Sequence, residues 1–162
     1  MTLDPAAKKW VLRSFTYGLF AVSATDGQDS GIFTANWITQ VSFDPPMVAL
    51  SVERDSSTLQ PILSSGRFAV APFRDGQREL AGFLGRPRSK AGDKVQQLGE
   101  TMVATESGAI AYSGGLGFCV CEVRNVIGAG DSVLLVAEVV EAVAGESGDP
   151  LTMREAGFRH FG

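Results

Sequence analysis

The chain has 162 residues, 44% of them hydrophobic and 20% charged, with a net charge of −4 and a pI near 5.0. That size fits one globular domain, residues 1–162, with a real core. The charge lacks the basic footprint of a nucleic-acid binder, and no apolar run reaches the roughly 18 residues of a membrane helix. The opening MTLDPAAKKW has no signal-peptide apolar region, so a cytoplasmic protein is expected.

In chain order, Asp4-Pro5 opens a helix over about residues 4–16, with Asp at the N-cap and Pro at N1. Ala7, Val11 and Phe15, with Trp10, recur at helical spacing. Residues 18–25 read as a buried strand, and residues 26–31 (DGQDSG) as a hairpin-type turn. Residues 34–46 (TANWITQVSFDPP) then alternate with period two. Ala35, Trp37, Thr39, Val41 and Phe43 are expected on a core face, with Thr34, Asn36, Ile38, Gln40 and Ser42 on a mostly polar one. Pro45-Pro46 ends the ladder, because proline has no N–H to give it.

A second strand follows at 47–53, then a hydroxyl cluster, Ser56-Ser57-Thr58, and a short helix to Ser65. With Thr58 as N-cap, Pro61 falls at N3, where its missing N–H costs nothing, and Gly66 suits the C′ position. Residues 67–72 form a strand, 74–84 a helix and 85–93 a basic loop. Short strands are expected at 101–105 and 109–112. The clearest hairpin pairs 116–127 with 132–143 through Gly128-Ala129-Gly130-Asp131. From about residue 144 the tail is polar. Many short strands with few helices predict a mainly β fold, a small antiparallel barrel.

Cys119 and Cys121 lie two apart on one strand face, a poor geometry for a disulfide, and read as small core residues, the alternative being a redox pair or metal site. With a single histidine they cannot build a four-ligand zinc site without carboxylates. No nucleophile elbow, Walker loop or GxGxxG fingerprint is present. His160, near the C-terminus, is expected exposed, the alternative being that it reaches the ligand pocket from the tail.

The polar strand, rigid turn and hydroxyl cluster suit a flat, polar-edged ligand carrying a phosphate. TANW-x-x-Q-x-S-F-x-PP, then S-x-E-R-x-S-S-T, then Ser65-Gly66-Arg67-Phe68-Ala69-Val70, and Gly130-Asp131 before the last strand, resemble the flavin reductase-like family of FMN-binding split barrels. The resemblance covers roughly residues 8–143. It implies a Greek-key split barrel with short flanking helices, a two-fold homodimer, and FMN, either tightly bound or exchangeable.

For the phosphate, Ser56, Ser57 and Thr58 offer hydroxyls at a helix start, whose free N–H groups attract anions. Lys90 and one of Arg54, Arg86 or Arg88 are expected to neutralise it. The alternative for the hydroxyls is ordinary capping. For the ring, Thr34, Ala35, Asn36, Trp37 and Gln40 offer backbone and side-chain partners, and the resemblance adds Ser51. Trp37 and Phe83 each have two readings, ring contact or core packing.

The resemblance implies an oxidoreductase. It would accept hydride from NAD(P)H and pass electrons to free flavin, a metal complex or a partner protein. An electron carrier with little NAD(P)H activity and a non-catalytic flavin-binding module are the alternatives. The family commonly has Gly-Asp-His where this chain has Gly130-Asp131-Ser132, so Ser132 is the residue expected on the nicotinamide side.

Overall fold

The computed structural model describes residues 2–160. Helix α1 (Pro5–Arg13) begins as its sequence requires. The Asp4 carboxylate accepts from the amides of Ala6 and Ala7, with Pro5 at the first helical position. Strands β1 (Phe20–Thr25), β2 (Ser30–Ala35), β3 (Ile38–Ser42) and β4 (Met47–Glu53) follow. Then come α2 (Leu59–Ser65), β5 (Arg67–Pro72), α3 (Arg78–Leu84), α4 (Arg88–Ala91) and α5 (Lys94–Leu98). A small hairpin of β6 (Met102–Ala104) and β7 (Ile110–Tyr112) precedes the long hairpin of β8 (Gly117–Ala129) and β9 (Ser132–Ala144). Helix α6 (Met153–Ala156) closes the described chain. None of these helices is long and apolar enough to cross a membrane.

The main sheet has seven antiparallel strands in the order β2-β1-β5-β8-β9-β4-β3. Its two outer strands, β2 and β3, are consecutive in sequence and joined only by Asn36 and Trp37. The sheet must therefore curl until its edges nearly meet, yet no ladder joins them. The result is a mainly antiparallel barrel split along one seam, with short helices outside it.

The central strands are buried on both faces, which is why they read as apolar runs rather than alternations. On β1 and β5, Val22, Ala24, Phe68 and Val70 join one cluster with Leu50, Ile62 and Leu135. Ala21, Ala69 and Ala71 join another with Leu84, Phe73 and Tyr112. Cys121 belongs to the first of these and Cys119 packs against it, both as free thiols. Burial pushes the Cys121 thiol up to about 12, with Cys119 adding to the effect.

The strand expectation for residues 34–46 needs correction. The segment 34–46 is not one alternating strand: it breaks at Asn36-Trp37, where the chain crosses from one sheet edge to the other. Beyond the break a bulge between Gln40 and Ser42 re-aims the side chains. Thr39 is exposed, and Val41 and Phe43, assigned to the core, are 52% and 91% exposed.

Helix α1 buries none of its residues, and its apolar Trp10 and Val11 and the following Phe15 are more than half exposed. The polar tail is docked rather than loose. Leu151 and Met153 are buried, and Thr152 bridges to Gly18 while Pro150 bridges to Arg74. Helix α6 carries a complete capping box between Thr152 and Glu155.

Candidate functional site

A cleft of about 1110 Å³ lies along the seam. Its floor is the end of β2 and the Asn36-Trp37 crossing, held to β4 by the Ser51 amide, which donates to the Trp37 carbonyl at 2.9 Å. One end is the start of α2, the far wall is the segment from α3 to α5, and the near wall is the C-terminal tail.

At the α2 end, Ser56, Ser57 and Thr58 all line the cleft. Thr58 is the N-cap residue, yet its side chain makes no cap bond. It sits against β2 because position 31 is glycine: a Cβ there would lie 2.5 Å from the Thr58 Oγ1. The Ser56 hydroxyl accepts from the Thr58 amide at 3.4 Å.

The far wall brings Arg86, Arg88, Lys90 and Lys94 to the cleft. Lys94 is 7% exposed, and its ammonium donates to the carbonyls of Leu84 at 2.6 Å and Arg86 at 2.9 Å. Desolvation, with a smaller push from Arg88, lowers its pKa to about 8. Arg88 donates to the Asp29 carboxylate at 2.8 Å, which raises the guanidinium's pKa and lowers that of the acid. With Arg159 from the tail, five cations face two carboxylates, Glu53 and Asp55, so this cleft is positive in a protein of net charge −4.

The near wall is the tail. Asn36 is 7% exposed, and its side-chain amide donates to the His160 carbonyl at 3.1 Å and contacts the Met153 sulfur at 3.3 Å. The His160 ring lies 5.5 Å from that of Trp37 at 44°, and its Nε2 is 3.2 Å from the Glu53 Oε1. Phe158 packs over α3 at Gly82, where an added Cβ would meet its ring at 3.4 Å, an ordinary contact.

Of the residues singled out by sequence, Thr34, Ala35, Asn36, Trp37, Ser51, Ser56, Ser57, Thr58 and Lys90 therefore converge on one cleft. The Thr34 hydroxyl is already committed, donating to the Ala81 carbonyl at 2.6 Å. Gln40 lies on the exposed part of β3, outside the cleft lining, and donates to the Ser42 carbonyl. Phe83 packs against the core under α3. Ser132 is 3% exposed, its hydroxyl donating to Asp131 at 3.0 Å, and it faces Glu53 across the β4–β9 ladder rather than lining the cleft.

Sequence reasoning missed Glu53, Lys94 and Arg159. Lys94 carried no signal beyond the Asp93 N-cap before it. His160 lines the cleft with its side chain 59% exposed, so it is exposed as expected but held in place.

Residues 12–162 match the family described as Flavin reductase like domain. The reductase component of 4-hydroxyphenylacetate 3-monooxygenase from Thermus thermophilus is 30% identical over 156 residues, covering 96% of this chain and 95% of that protein. A flavin reductase from Pseudomonas putida is 29% identical over 161 residues, covering 98% and 91%. Among solved structures, BorF, the flavin reductase component of a bacterial two-component tryptophan halogenase, superimposes with a TM-score of 0.82 at 25% identity, over 98% of both chains. The chain belongs to the flavin reductase-like family, and it is an oxidoreductase built on that family's split-barrel sheet.

Proposed function

We propose that the cleft binds FMN and that the protein takes hydride from NAD(P)H and hands the electrons to free flavin, a metal complex or a partner protein. The observation that carries this reading is that a cationic wall and a hydroxyl cluster line one cleft along the seam. A phosphate bearing about −1.5 to −2 charges needs such a set of donors. Ser57 and Thr58 offer hydroxyls, Lys90 and Lys94 offer charge, and the start of α2 adds the positive end of its dipole. Ala35, Trp37 and Ser51 border the space left for a ring, with Asn36 fixing the wall beside them. Gln40 and Phe83 contribute at most by supporting that wall.

Bound flavin would supply the redox chemistry, accepting a hydride and releasing electrons. The chain's residues orient it and balance its charge. Ser132 is a nicotinamide-side residue only through Glu53, its partner across the ladder. The relatives that serve as reductase components of a monooxygenase and a halogenase support an oxygenase-type partner for the reduced flavin.

The exposed apolar surface of α1 and β3 supports a two-fold homodimer. We place the protein in the cytoplasm.

The electron-carrier reading draws on one observation, the buried serine at the position where the resemblance implies histidine. Anaerobic rapid mixing of the flavin-loaded protein with NADH and with NADPH separates the two. Bleaching of the flavin band within seconds is expected. A flavin that dithionite reduces but neither nicotinamide does would leave the carrier reading standing. Absence of any flavin after loading would overturn both.

A further inference from the structure

A second cavity, of about 710 Å³, lies between the end of α1 and the C-terminal tail. It shares the tail with the seam cleft, since Met153, Gly157, Phe158 and Arg159 line both. The two chain segments that form it are pinned together by main-chain bonds. The Met153 amide donates to the Tyr17 carbonyl at 2.9 Å and the Leu19 amide to the Leu151 carbonyl at 3.0 Å, with Gly18 bridged to Thr152 between them. The volume falls within the roughly 300–1,000 Å³ of small-molecule sites.

The cavity is lined by three arginines, Arg13, Arg154 and Arg159, and by no carboxylate among the described residues. Elsewhere on this chain arginines meet acids: Arg67 pairs with Glu122, Arg88 with Asp29 and Arg124 with Glu138. The guanidinium groups of Arg154 and Arg159 form no hydrogen bond or ion pair with a described residue. Glu155, next to Arg154 in sequence, is spent on the capping box, its carboxylate accepting from the Thr152 hydroxyl at 2.7 Å. Like charges gathered round one hollow repel, so the fold gains nothing from the arrangement and an anion would relieve it. A guanidinium fork matches a carboxylate or a phosphate with two parallel bonds.

Aromatic rings lie beside these cations. Tyr17 and Phe158 are half-buried, packed against the core and still open to the cavity. Phe158 is held further by Arg78, whose guanidinium lies 5.7 Å from the ring centroid. Phe15 also lines the cavity, but it is 54% exposed and belongs to the apolar side of α1, so the aromatic character rests on Tyr17 and Phe158. Rings held in this way offer faces and edges to a flat aromatic ligand.

We propose that this cavity is a second ligand site, for a planar aromatic molecule that carries a carboxylate or a phosphate. Arg154 and Arg159 take the anion, and Tyr17 and Phe158 take the ring. The site is separate from the flavin and its hydride donor.

Calorimetric titration of the flavin-loaded protein tests this, with flavin occupying the seam cleft. The chain as isolated serves if it takes up no flavin, so failure of the flavin reading does not decide this one. The probes are 2-naphthoate and AMP, their neutral counterparts 2-naphthamide and adenosine, and the non-aromatic cyclohexanecarboxylate. Naphthoate, AMP or both should bind with a Kd below about 1 mM. The neutral counterparts and cyclohexanecarboxylate should bind at least about tenfold more weakly, the worth of one charge-assisted hydrogen bond or one aromatic contact. Binding of naphthoate alone would assign a carboxylate ligand, and of AMP alone a phosphate. Arg154 lines this cavity and not the seam cleft. Arg154→Gln should therefore weaken the bound anion by about tenfold and leave the flavin Kd within about twofold.

No binding of either anion would overturn the proposal. So would neutral or non-aromatic probes that bind as well as the aromatic anions, or an affinity unchanged in Arg154→Gln. A parallel loss of flavin in that variant would overturn it too, by assigning Arg154 to the seam cleft.

Discussion

The side-chain amide of Asn36 donates to the main-chain carbonyl of His160, across 3.1 Å of space and 124 residues of sequence. It ties the seam between the two sheet edges to the tail that walls the cleft. A buried amide left without its acceptor costs about 1–3 kcal/mol. Asn36→Leu removes the donor instead, so the sheet should keep most of its stability while the tail detaches. The expected result is a loss of flavin affinity of about tenfold, near 1.4 kcal/mol, with little change in urea midpoint. Fluorescence titration with FMN and a urea melt check this. A large fall in midpoint with normal flavin binding would show that the bond serves the fold alone.

In the proposed binding mode Ser57 and Thr58 hold the phosphate and leave the ring to other residues. A double variant, Ser57→Ala with Thr58→Val, removes both hydroxyls and keeps the shape of the buried threonine. FMN affinity should fall by about ten- to a hundredfold, as expected for loss of charge-assisted bonds of about 1.5–3 kcal/mol. Riboflavin, which lacks the phosphate, should bind nearly as before. Equal losses for both ligands would move the phosphate elsewhere.

Lys94 makes a pH-dependent prediction whose sign follows from its environment. Its folded value is about 8, below the ordinary 10.5, so between these values the unfolded chain holds the proton and the folded one has lost it. Stability therefore rises with pH across that window. Cys121 works in the opposite direction, since burial keeps its thiol protonated past 9 and toward 12. The difference between the native chain and Lys94→Met isolates the lysine. Urea midpoints at about pH 8 and pH 10 should diverge from those of the variant in favour of the native chain as pH rises. A phosphate nearby favours the ammonium, so FMN binding near pH 8 should take up a proton, read as a buffer-dependent calorimetric enthalpy.

Trp10 and Phe15, 77% and 54% exposed, mark the apolar side of α1 and the turn after it. Trp10→Glu with Phe15→Glu should convert a dimer into monomer by light scattering at micromolar concentration. Because α1 buries nothing in a single chain, the monomer should keep its circular dichroism. A native chain that is already monomeric would remove the homodimer from the proposal.

How much of this was written plainly in the sequence depended on whether a signal was local. The Asp4-Pro5 cap, the strand Arg67–Pro72, the position of Pro61 in α2 and the glycine after it all follow from backbone chemistry within a few residues, and all are present. The period-two run from Thr34 was misleading because alternation names two faces without saying whether anything covers them. Val41 and Phe43 needed knowledge of the bulge and of the open sheet edge. Thr34–Trp37 and the hydroxyl cluster were named together and do line one cleft, although the crossing at Asn36-Trp37 was read as continuous strand. Lys94 and Glu53 were not, because only tertiary closure turns a lysine on a short polar helix and an ordinary strand-end glutamate into neighbours of one cleft.

The docking of the tail also bears on how the molecule is made. Strand β1 receives its neighbours β2 and β5 early, and all seven strands of the sheet are in hand by Ala144. Residues 153–160, which form one whole wall of the cleft, leave the ribosome after every other described element, at about 5–20 residues per second. A nascent chain thus gains its sheet before it gains a closed place for a cofactor, so flavin capture follows formation of the sheet rather than guiding it.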